Sequence, residues 1–116
     1  MRQITILNIT TGKPVGSQIG VADTSLSRLI GLMGKKQLDA GRGLLIRPSS
    51  GVHTFGMRFP IDAVGLDKSF RVIALWPDLK PFRISGISFK THSVLELPAG
   101  QIALCQIGLG DQLQEC

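Results

Sequence analysis

The sequence predicts a single α+β domain, in which short and mostly antiparallel strands form a curled sheet or small barrel beside one main helix near residues 24–33. Short apolar runs bounded by Gly, Pro and Asp recur along the chain, which is typical of strands joined by tight turns. Only one stretch repeats its apolar residues with a clear helical period. The length of 116 residues fits one domain spanning 1–116, and neither an internal repeat nor a linker divides it.

Alternation of polar and apolar residues predicts most of the strands. Residues 3–9 alternate in this way, and residues 15–22 follow a turn containing Gly and Pro as the second strand of a hairpin. Further strands are predicted at residues 43–47, 61–67, 70–76, 93–97 and 112–115. The prolines between residues 77 and 81 argue against a central strand there, because proline cannot donate a ladder hydrogen bond.

The main helix is predicted from an amphipathic stripe with spacing i, i+3, i+4 and i+7. The stripe is formed by Leu26, Leu29, Ile30 and Met33. One of residues 23–25 can cap the first turn, and Gly34 ends the helix. Arg28 lies off the stripe, so it either points into solvent or reaches over the sheet to a carboxylate. A second apolar segment, IALCQI at residues 102–107, fits one or two helical turns.

Residues 51–67, GVHTFGMRFPIDAVGLD, form the stretch that is most typical of a functional site. They predict two short strands around a turn. Period 2 places His53, Phe55 and Met57 on one face of the first strand and Thr54 on the other. His53 either bonds a ligand or is a half-buried histidine satisfied by the backbone. Phe55 and Met57 either pack in the core or line the apolar wall of a ligand pocket.

Asp62 follows the turn at residues 58–60 and shares a strand face with the apolar Val64. A carboxylate in such a place is costly unless it is paired, hydrogen-bonded or at the mouth of a cavity. In one interpretation Asp62 holds the turn, by accepting backbone N–H bonds or by pairing with Arg28 or Arg58. In the other interpretation it is the polar anchor of a pocket.

The charge of the chain gives only weak information about partners. The net charge is +5 and the pI is about 9.8, which suits an anionic partner. However, Lys and Arg are scattered, with neither a basic run nor interleaved aromatic residues, so nucleic acid is an unfavoured partner. No apolar run approaches a membrane span, and the first ten residues lack the apolar core of a signal peptide. We therefore expect a cytoplasmic protein without a membrane partner.

The cysteines and histidines do not predict a cofactor site. Two cysteines, Cys105 and Cys116, are too few for a disulfide framework, and Cys105 is predicted to be a small core residue. By residue type, His53, His92, Asp62 and Cys105 suit a metal ion. None of the usual metal-binding spacings is present, and no Gly-rich phosphate loop precedes a helix. We expect neither a metal nor another cofactor.

The chain resembles the bacterial and archaeal family called domain of unknown function 192, over about residues 21–115. The residues that carry the resemblance occur in the same order as in the family. They are Arg28, Gly31, Leu32, Met33, Gly43, Thr54, Met57, Pro60, Ile61, Asp62, Leu95, Glu96, Leu97, Gly100, Gly110 and Asp111. The resemblance implies a compact, β-rich α+β fold and a shared central pocket, but no reaction.

These observations leave three hypotheses of function. The leading one is a binding domain for a small polar ligand or a partner, without a reaction, with its pocket at residues 53–62. Its candidate site residues are Arg28, His53, Thr54, Met57, Asp62 and Glu96. The alternative is a hydrolase of saccharide-like substrates, with Asp62 and Glu96 as the acid–base pair across a cleft. In the competing interpretation, Glu96 simply lies on an exposed strand face. The third hypothesis is binding of nucleic acid or a regulator through the basic surface.

Overall fold

Seven strands and two short helices make up the regular structure of the described part of the chain. The computed structural model describes residues 1–32, 35, 37–51, 54, 57–83 and 89–116, except for the side chains of Leu26 and Leu29. In chain order, the elements are β1 (Gln3–Asn8), β2 (Lys13–Ala22), α1 (Ser25–Ile30), β3 (Arg42–Ile46), β4 (Ile61–Leu66), β5 (Val72–Leu79), β6 (Ser93–Pro98), α2 (Gln101–Leu104) and β7 (Leu113–Glu115).

The strands form one sheet in the order β5-β4-β6-β3-β2-β1-β7. The pairs β1–β2 and β4–β5 are antiparallel hairpins, as the sequence predicts. The pair β2–β3 is parallel, and α1 lies in the connection between these two strands. A parallel pair needs such a crossover, because the chain must return to the starting edge before the second strand begins.

The sheet curls until its two edges meet at one end. Arg71, just before β5, forms a bridge with Gln112, just before β7. Beside this bridge, the Val72 N–H donates to the Asp111 carbonyl at 2.8 Å. The curl encloses a cluster with side chains from all seven strands, which we call the inner cluster. It consists of Ile4, Ile6, Val15, Ile19, Val21, Leu45, Val64, Leu66, Val72, Leu95, Leu97, Ile102, Ile107 and Leu113.

A second cluster covers the other face of the central strands, and we call it the outer cluster. It consists of Ala22, Leu32, Leu44, Met57, Ile61, Ala63 and Val94. The end of α1 lies over this face, because a Cβ built on Gly31 is 4.0 Å from Leu44 Cδ2. The Trp76 ring lies 3.2 Å from the position of a Cβ built on Gly65. Both faces of the central strands are therefore covered, and every residue of β4 is buried.

The fold is more β than α+β, because strands dominate and the helices are short. The main helix spans six residues, Ser25–Ile30, rather than continuing to residue 33. Thr24 and Ser27 form a capping box at its start, and Gly31, with φ of 50°, ends it. Met33 and Gly34 lie outside the described residues. Among the described residues, no helix is long and apolar enough to cross a membrane.

The strands predicted after residue 60 are confirmed, whereas the first strand of residues 51–67 is not. Thr54 and Met57 are described and lie in no strand, while His53 and Phe55 lie outside the description. Strand β5 continues through Pro77. The sheet accommodates this proline because β5 is an edge strand and its pairing with β4 is irregular at this point. The segment IALCQI begins with the short helix α2, as predicted.

We expect Gly43→Ala to destabilise the protein, because β3 approaches its neighbours too closely for a side chain. A Cβ at Gly43 would lie 2.6 Å from the Glu96 carbonyl oxygen and 2.9 Å from Ile19 Cδ1. The free energy of unfolding should fall by about 1–3 kcal/mol in urea denaturation. The matched control is Gly108→Ala, where the nearest atoms are the Asp111 carboxylate oxygens at 3.8 Å. Equal stability of the two variants would contradict this account of the packing.

Candidate functional site

Asp62 is almost fully buried, with 1% of its surface exposed, and it joins two separate parts of the backbone. One carboxylate oxygen accepts a hydrogen bond from the Asp78 N–H at 2.8 Å, and the other accepts from the Ile102 N–H at 2.8 Å. The first donor lies in β5, where two residues, Pro77 and Asp78, lie opposite the single residue Asp62. The second donor lies in α2. Asp62 therefore accepts backbone hydrogen bonds, but from β5 and α2 rather than from the turn at residues 58–60.

Thr54 is fully buried and connects two loops. Its hydroxyl donates to the Lys80 carbonyl at 2.6 Å and accepts from the Arg83 N–H at 2.8 Å. Its backbone N–H donates to the Arg83 carbonyl at 2.8 Å, and its carbonyl accepts from the Phe82 N–H at 3.1 Å. These four bonds hold Thr54 against residues 80–83. They explain why Thr54 lies in no strand, because its hydrogen bonds go to a loop.

The remaining candidates from the first half of the chain lie in different environments. Met57 is buried in the outer cluster. Arg28 is half-buried in the last turn of α1, and it makes no hydrogen bond or ion pair with Asp62. The ion pairs among the described residues join Arg47 to Glu115 and Lys80 to Asp78. His53 lies outside the described residues.

Glu96 lies in the middle of β6 and is 2% exposed. It pairs with Leu44 of β3 on one side and with Ala63 of β4 on the other. Directly opposed residues share a sheet face, so the Glu96 side chain lies on the face of the outer cluster. The expectation that this glutamate is exposed is wrong, because α1 and the chain around Met57 cover that face.

The carboxyl of Glu96 has no compensating partner among the described residues. None of them donates a hydrogen bond to it or forms an ion pair with it. Burial raises the pKa of Glu96 to about 8, because removal from water disfavours the charged carboxylate. Glu96 is therefore mostly protonated at neutral pH. This combination of burial and a raised pKa is typical of a functional site.

The structure does not bring Asp62 and Glu96 together in one cleft. Asp62 opposes Leu97 of the inner cluster, whereas Glu96 opposes Ala63 of the outer cluster. Their side chains therefore leave the sheet on opposite faces, although the two strands are neighbours. An acid–base pair for hydrolysis must flank the same bond. The geometry gives no support to the hydrolase hypothesis.

A cavity of about 430 Å³ lies on the outer face over β2 and β3. Its floor includes Leu44, the cross-strand neighbour of Glu96, and its wall includes Leu32 and Leu38. Its polar lining comes from Gln3, Gln18, Lys35, Gln37, Asp39 and Arg42. An apolar floor with polar groups around it is the usual composition of a small-molecule site.

The sequence contains a signal for the burial of Glu96, although the alternation of polar and apolar residues does not reveal it. In VLELP, the residues on the Glu96 face are Val94 and Pro98, so the glutamate has apolar neighbours on both sides along its strand. Leu44 and Trp76 reach the same face from β3 and β5, but their pairing with this region depends on contacts between distant segments. No local pattern indicates that these side chains meet.

Within the described part of the chain, Cys105 and His92 show no catalytic arrangement. Cys105 is partly buried against the inner cluster, as expected for a small core residue, and its Sγ lies 3.5 Å from Gln101 Oε1. Burial raises the pKa of the Cys105 thiol, although the nearby Lys13 charge acts in the opposite direction. A raised pKa disfavours the thiolate that nucleophilic chemistry needs. His92 is exposed at the start of β6.

Comparison with known proteins identifies relatives over nearly the whole chain. The model of the DUF192 family, described as Uncharacterized ACR, matches residues 6–115. A UPF0127 protein of Pyrococcus furiosus is 31% identical in an alignment of 116 positions. The alignment covers 94% of this chain and 96% of that protein. A UPF0127 protein of Thermococcus kodakarensis is 30% identical over 110 residues, which cover 91% of this chain and 69% of that protein.

Two crystal structures share the fold. A protein from Sinorhizobium meliloti, described as a candidate transcription regulator, has a TM-score of 0.83 and 19% identity, covering 97% of this chain and 92% of that chain. A protein of unknown function from Novosphingobium aromaticivorans has a TM-score of 0.82 and 22% identity, covering 97% of this chain and 83% of that chain. At these identities the likeness establishes the fold alone.

We expect Asp62→Asn to lower the free energy of unfolding by about 1–3 kcal/mol, because an amide nitrogen would face one of the two buried N–H donors. Urea denaturation at pH 7 measures this loss. The matched control is Asp78→Asn, since the Asp78 side chain is exposed and pairs only with the exposed Lys80. An Asp62→Asn variant as stable as this control would show that the two backbone hydrogen bonds contribute little.

We expect Glu96 to make stability fall as the pH rises. Its pKa is about 8 in the folded protein and about 4.5 when unfolded, so the folded state holds the proton more tightly. The stabilisation is complete below pH 4.5 and is lost, by about 1.4 kcal/mol per pH unit, until pH 8.

Chemical denaturation of the wild type and of Glu96→Gln between pH 5 and 9 measures this dependence. The difference in free energy of unfolding between the two proteins should shift steadily in favour of Glu96→Gln up to about pH 8 and then level off. Glu115→Gln is the control at the second, exposed glutamate. A difference that does not change with pH would show that Glu96 ionises normally in the folded protein.

Proposed function

Because the chain belongs to the DUF192 family of uncharacterized proteins, we propose that it is a binding domain for a small molecule, which lies on the outer face of the sheet against Glu96. This function is one of binding, without a reaction catalysed by the domain. The site includes Glu96 and Met57 from the sequence-based candidates and adds the cavity over β2 and β3.

The observation that carries this proposal is the buried carboxyl of Glu96, to which no described residue is hydrogen-bonded. A buried polar group without a hydrogen bond costs about 1–3 kcal/mol relative to a satisfied one. No described side chain satisfies Glu96. A ligand that hydrogen-bonds this carboxyl would recover that cost on binding, and the affinity for the ligand would gain accordingly.

The cavity supports the proposal because it begins at the residue next to Glu96. Leu44 opposes Glu96 across the β3–β6 ladder and also lines the cavity. Neighbouring strands are about 4.8 Å apart, so a ligand seated over Leu44 is within one strand spacing of the carboxyl. Leu38 and Leu32 provide an apolar wall on the opposite side of that ligand.

Thr54 and Asp62 support this site indirectly. The Thr54 carbonyl accepts a hydrogen bond from the Met57 N–H at 3.2 Å, and Met57 belongs to the outer cluster, on the face of Glu96. Asp62 fixes the adjacent strand β4, which supplies Ala63 beside Glu96. Arg28, on the helix that crosses this face, and His53 stay predictions for ligand contact. The proposal includes the expectations of a cytoplasmic protein that uses neither nucleic acid nor a membrane as partner.

An NMR titration tests this function. A ¹⁵N-labelled sample is titrated with mixtures of sugars, amino acids and organic acids, each at up to several millimolar. A binding mixture should shift the backbone signals of Gly20, Leu44 and Glu96, which lie on the outer face, and leave Gln114 of β7 unchanged. The active compound is then identified by testing the members of that mixture one at a time.

Variants separate this site from other surfaces. Glu96→Gln keeps the shape of the side chain and should weaken binding at least fivefold, because an amide NH₂ group replaces one of the carboxyl oxygens that the ligand would hydrogen-bond. Glu115→Gln changes the exposed glutamate of β7 and should leave the affinity unchanged. Shifts centred on the opposite end of the sheet, or equal affinity in both variants, would contradict the proposed function.

A further inference from the structure

Resting on the proposed binding of a small molecule at the outer face, we infer that the ligand is an amphipathic carboxylate with an unbranched apolar chain. Its carboxylate lies in the outer-face cavity over β2 and β3, and its chain extends into a second cavity beside α1. Two observations carry the inference. The two cavities adjoin, and their linings differ in polarity and in charge. A ligand with one anionic end and one apolar end matches both linings.

The second cavity, which we call the helix cavity, has a volume of about 400 Å³. It lies between the start of β1 and α1, with Met1 and Ile30 among its lining residues. Both this cavity and the outer-face cavity, at about 430 Å³, fall within the roughly 300–1,000 Å³ that small-molecule sites occupy. Each is therefore large enough to hold one part of a small organic ligand.

The helix cavity and the outer-face cavity border each other at Met1, which lines both. On β2, Gly20 lines the outer-face cavity and the next residue, Val21, lines the helix cavity. At the end of α1, Gly31 and Ile30 are divided in the same way. The Met1 Sδ lies 2.8 Å from the position of a Cβ built on Gly20, which places this side chain at the border. Because methionine is unbranched and this one is 71% exposed, its side chain can turn aside and join the two cavities.

The helix cavity favours the apolar part of the ligand. Met1, Val21 and Ile30 supply apolar lining. The hydroxyl groups of Thr24 and Ser27 also line this cavity, but the capping box of α1 already uses them. The Ser27 N–H donates to Thr24 Oγ1 at 3.1 Å, and Ser27 Oγ donates to the Thr24 carbonyl at 3.1 Å. These hydroxyls therefore gain little from a polar ligand, whereas an apolar chain gains by leaving water.

The charges of the two linings orient the ligand. In the described lining of the helix cavity, Arg2 and Asp23 carry opposite charges that balance. The described lining of the outer-face cavity has two bases, Lys35 and Arg42, against one acid, Asp39. The outer-face cavity therefore has an excess of positive charge that the helix cavity lacks. This difference attracts a carboxylate to the outer-face cavity and leaves the helix cavity to the chain.

The outer-face cavity also has hydrogen-bond donors that other protein groups leave free. No described residue is hydrogen-bonded to the side chains of Gln18, Lys35 or Arg42, and all three line this cavity. Asp39 instead accepts a hydrogen bond from Gln37 Nε2 at 3.1 Å, so an amide of the same lining holds this acid. Guanidinium and ammonium groups form strong, charge-assisted hydrogen bonds with a carboxylate. The two bases can therefore bind the carboxylate of the ligand directly.

Isothermal titration calorimetry with octanoate, butanoate and octan-1-ol tests the inference, because the last two differ from octanoate in chain length or in head group alone. We expect octanoate to bind tightest. Each methylene group that enters the helix cavity should raise the affinity by up to about fourfold, so octanoate should exceed butanoate by at least about tenfold. Octan-1-ol lacks the charge and should bind several-fold more weakly than octanoate. Added salt should weaken the binding of the two carboxylates but not that of octan-1-ol.

Three variants at exposed positions assign the two ends of the ligand. Ile30→Ser changes the helix cavity, so it should weaken octanoate several-fold and leave butanoate unchanged. Arg42→Gln changes the outer-face cavity, so it should weaken both carboxylates several-fold and leave octan-1-ol unchanged. Glu115→Gln, on β7, changes a residue outside both linings and should alter no affinity. Circular dichroism and the unfolding transition verify that each variant is folded before its affinity is compared.

The outcomes distinguish this inference from the proposed function. Equal affinities for octanoate and butanoate, or an octanoate affinity that Ile30→Ser does not change, overturn the placement of the chain in the helix cavity. An octanoate affinity that Arg42→Gln does not change overturns the placement of the carboxylate. Absence of octanoate binding overturns the inference as a whole. The proposed function is decided separately, by the mixture titration and by Glu96→Gln, which use other ligands and another variant.

Discussion

The Asp62 carboxylate is the interaction on which the arrangement of β4, β5 and α2 depends. Its two oxygens hold the backbone of β5 at Asp78 and that of α2 at Ile102. The Ile102 side chain is part of the inner cluster, so a polar contact and the hydrophobic core fix the same helix. Because both donors are buried backbone groups, each needs an acceptor within the protein. One charged side chain on an apolar strand supplies both acceptors.

The two buried acids of the central strands illustrate how environment divides structural and functional roles. Asp62 faces the inner cluster and has two donors, whereas Glu96 faces the outer cluster and has none among the described residues. The inner acid therefore stabilises the fold directly. The outer acid reduces stability at neutral pH, since the protein must keep it protonated or bear its desolvation cost. Proteins most often keep such a destabilising residue where the residue has a functional role.

Local pattern predicted much of the fold because most strands alternate clearly. It predicted the hairpin of β4 and β5, and it placed Asp62 on the face of Val64, as observed. It failed for Thr54, whose hydrogen bonds go to residues 80–83, far along the chain. It also failed for the burial of Glu96. A charged residue on an alternating strand is normally exposed, and only the crossover helix and a distant loop reverse that expectation.

The candidate site was predictable in its residues but not in its grouping. The motifs that the sequence singles out contain Glu96, Met57, Thr54 and Asp62, yet these residues lie in different environments. In our proposal Glu96 faces the ligand on the outer face, together with Met57. Thr54 instead bonds the loop at residues 80–83, and Asp62 bonds β5. Which face a strand residue occupies follows from period 2. Which of the two faces is open to a ligand follows from how the sheet curls, and that depends on pairings such as β1 with β7.

Pro77 and Asp78, the two residues of β5 opposite Asp62, also affect how readily this edge strand pairs with another chain. An edge strand exposes backbone groups that can pair with another chain and start aggregation. β5 is such an edge, and it is long enough to act as a template. Proline cannot donate to an added strand, and an irregular, twisted edge is a poor template for a flat one. By accepting the hydrogen bond from the Asp78 N–H, Asp62 thus stabilises the irregularity of this edge strand.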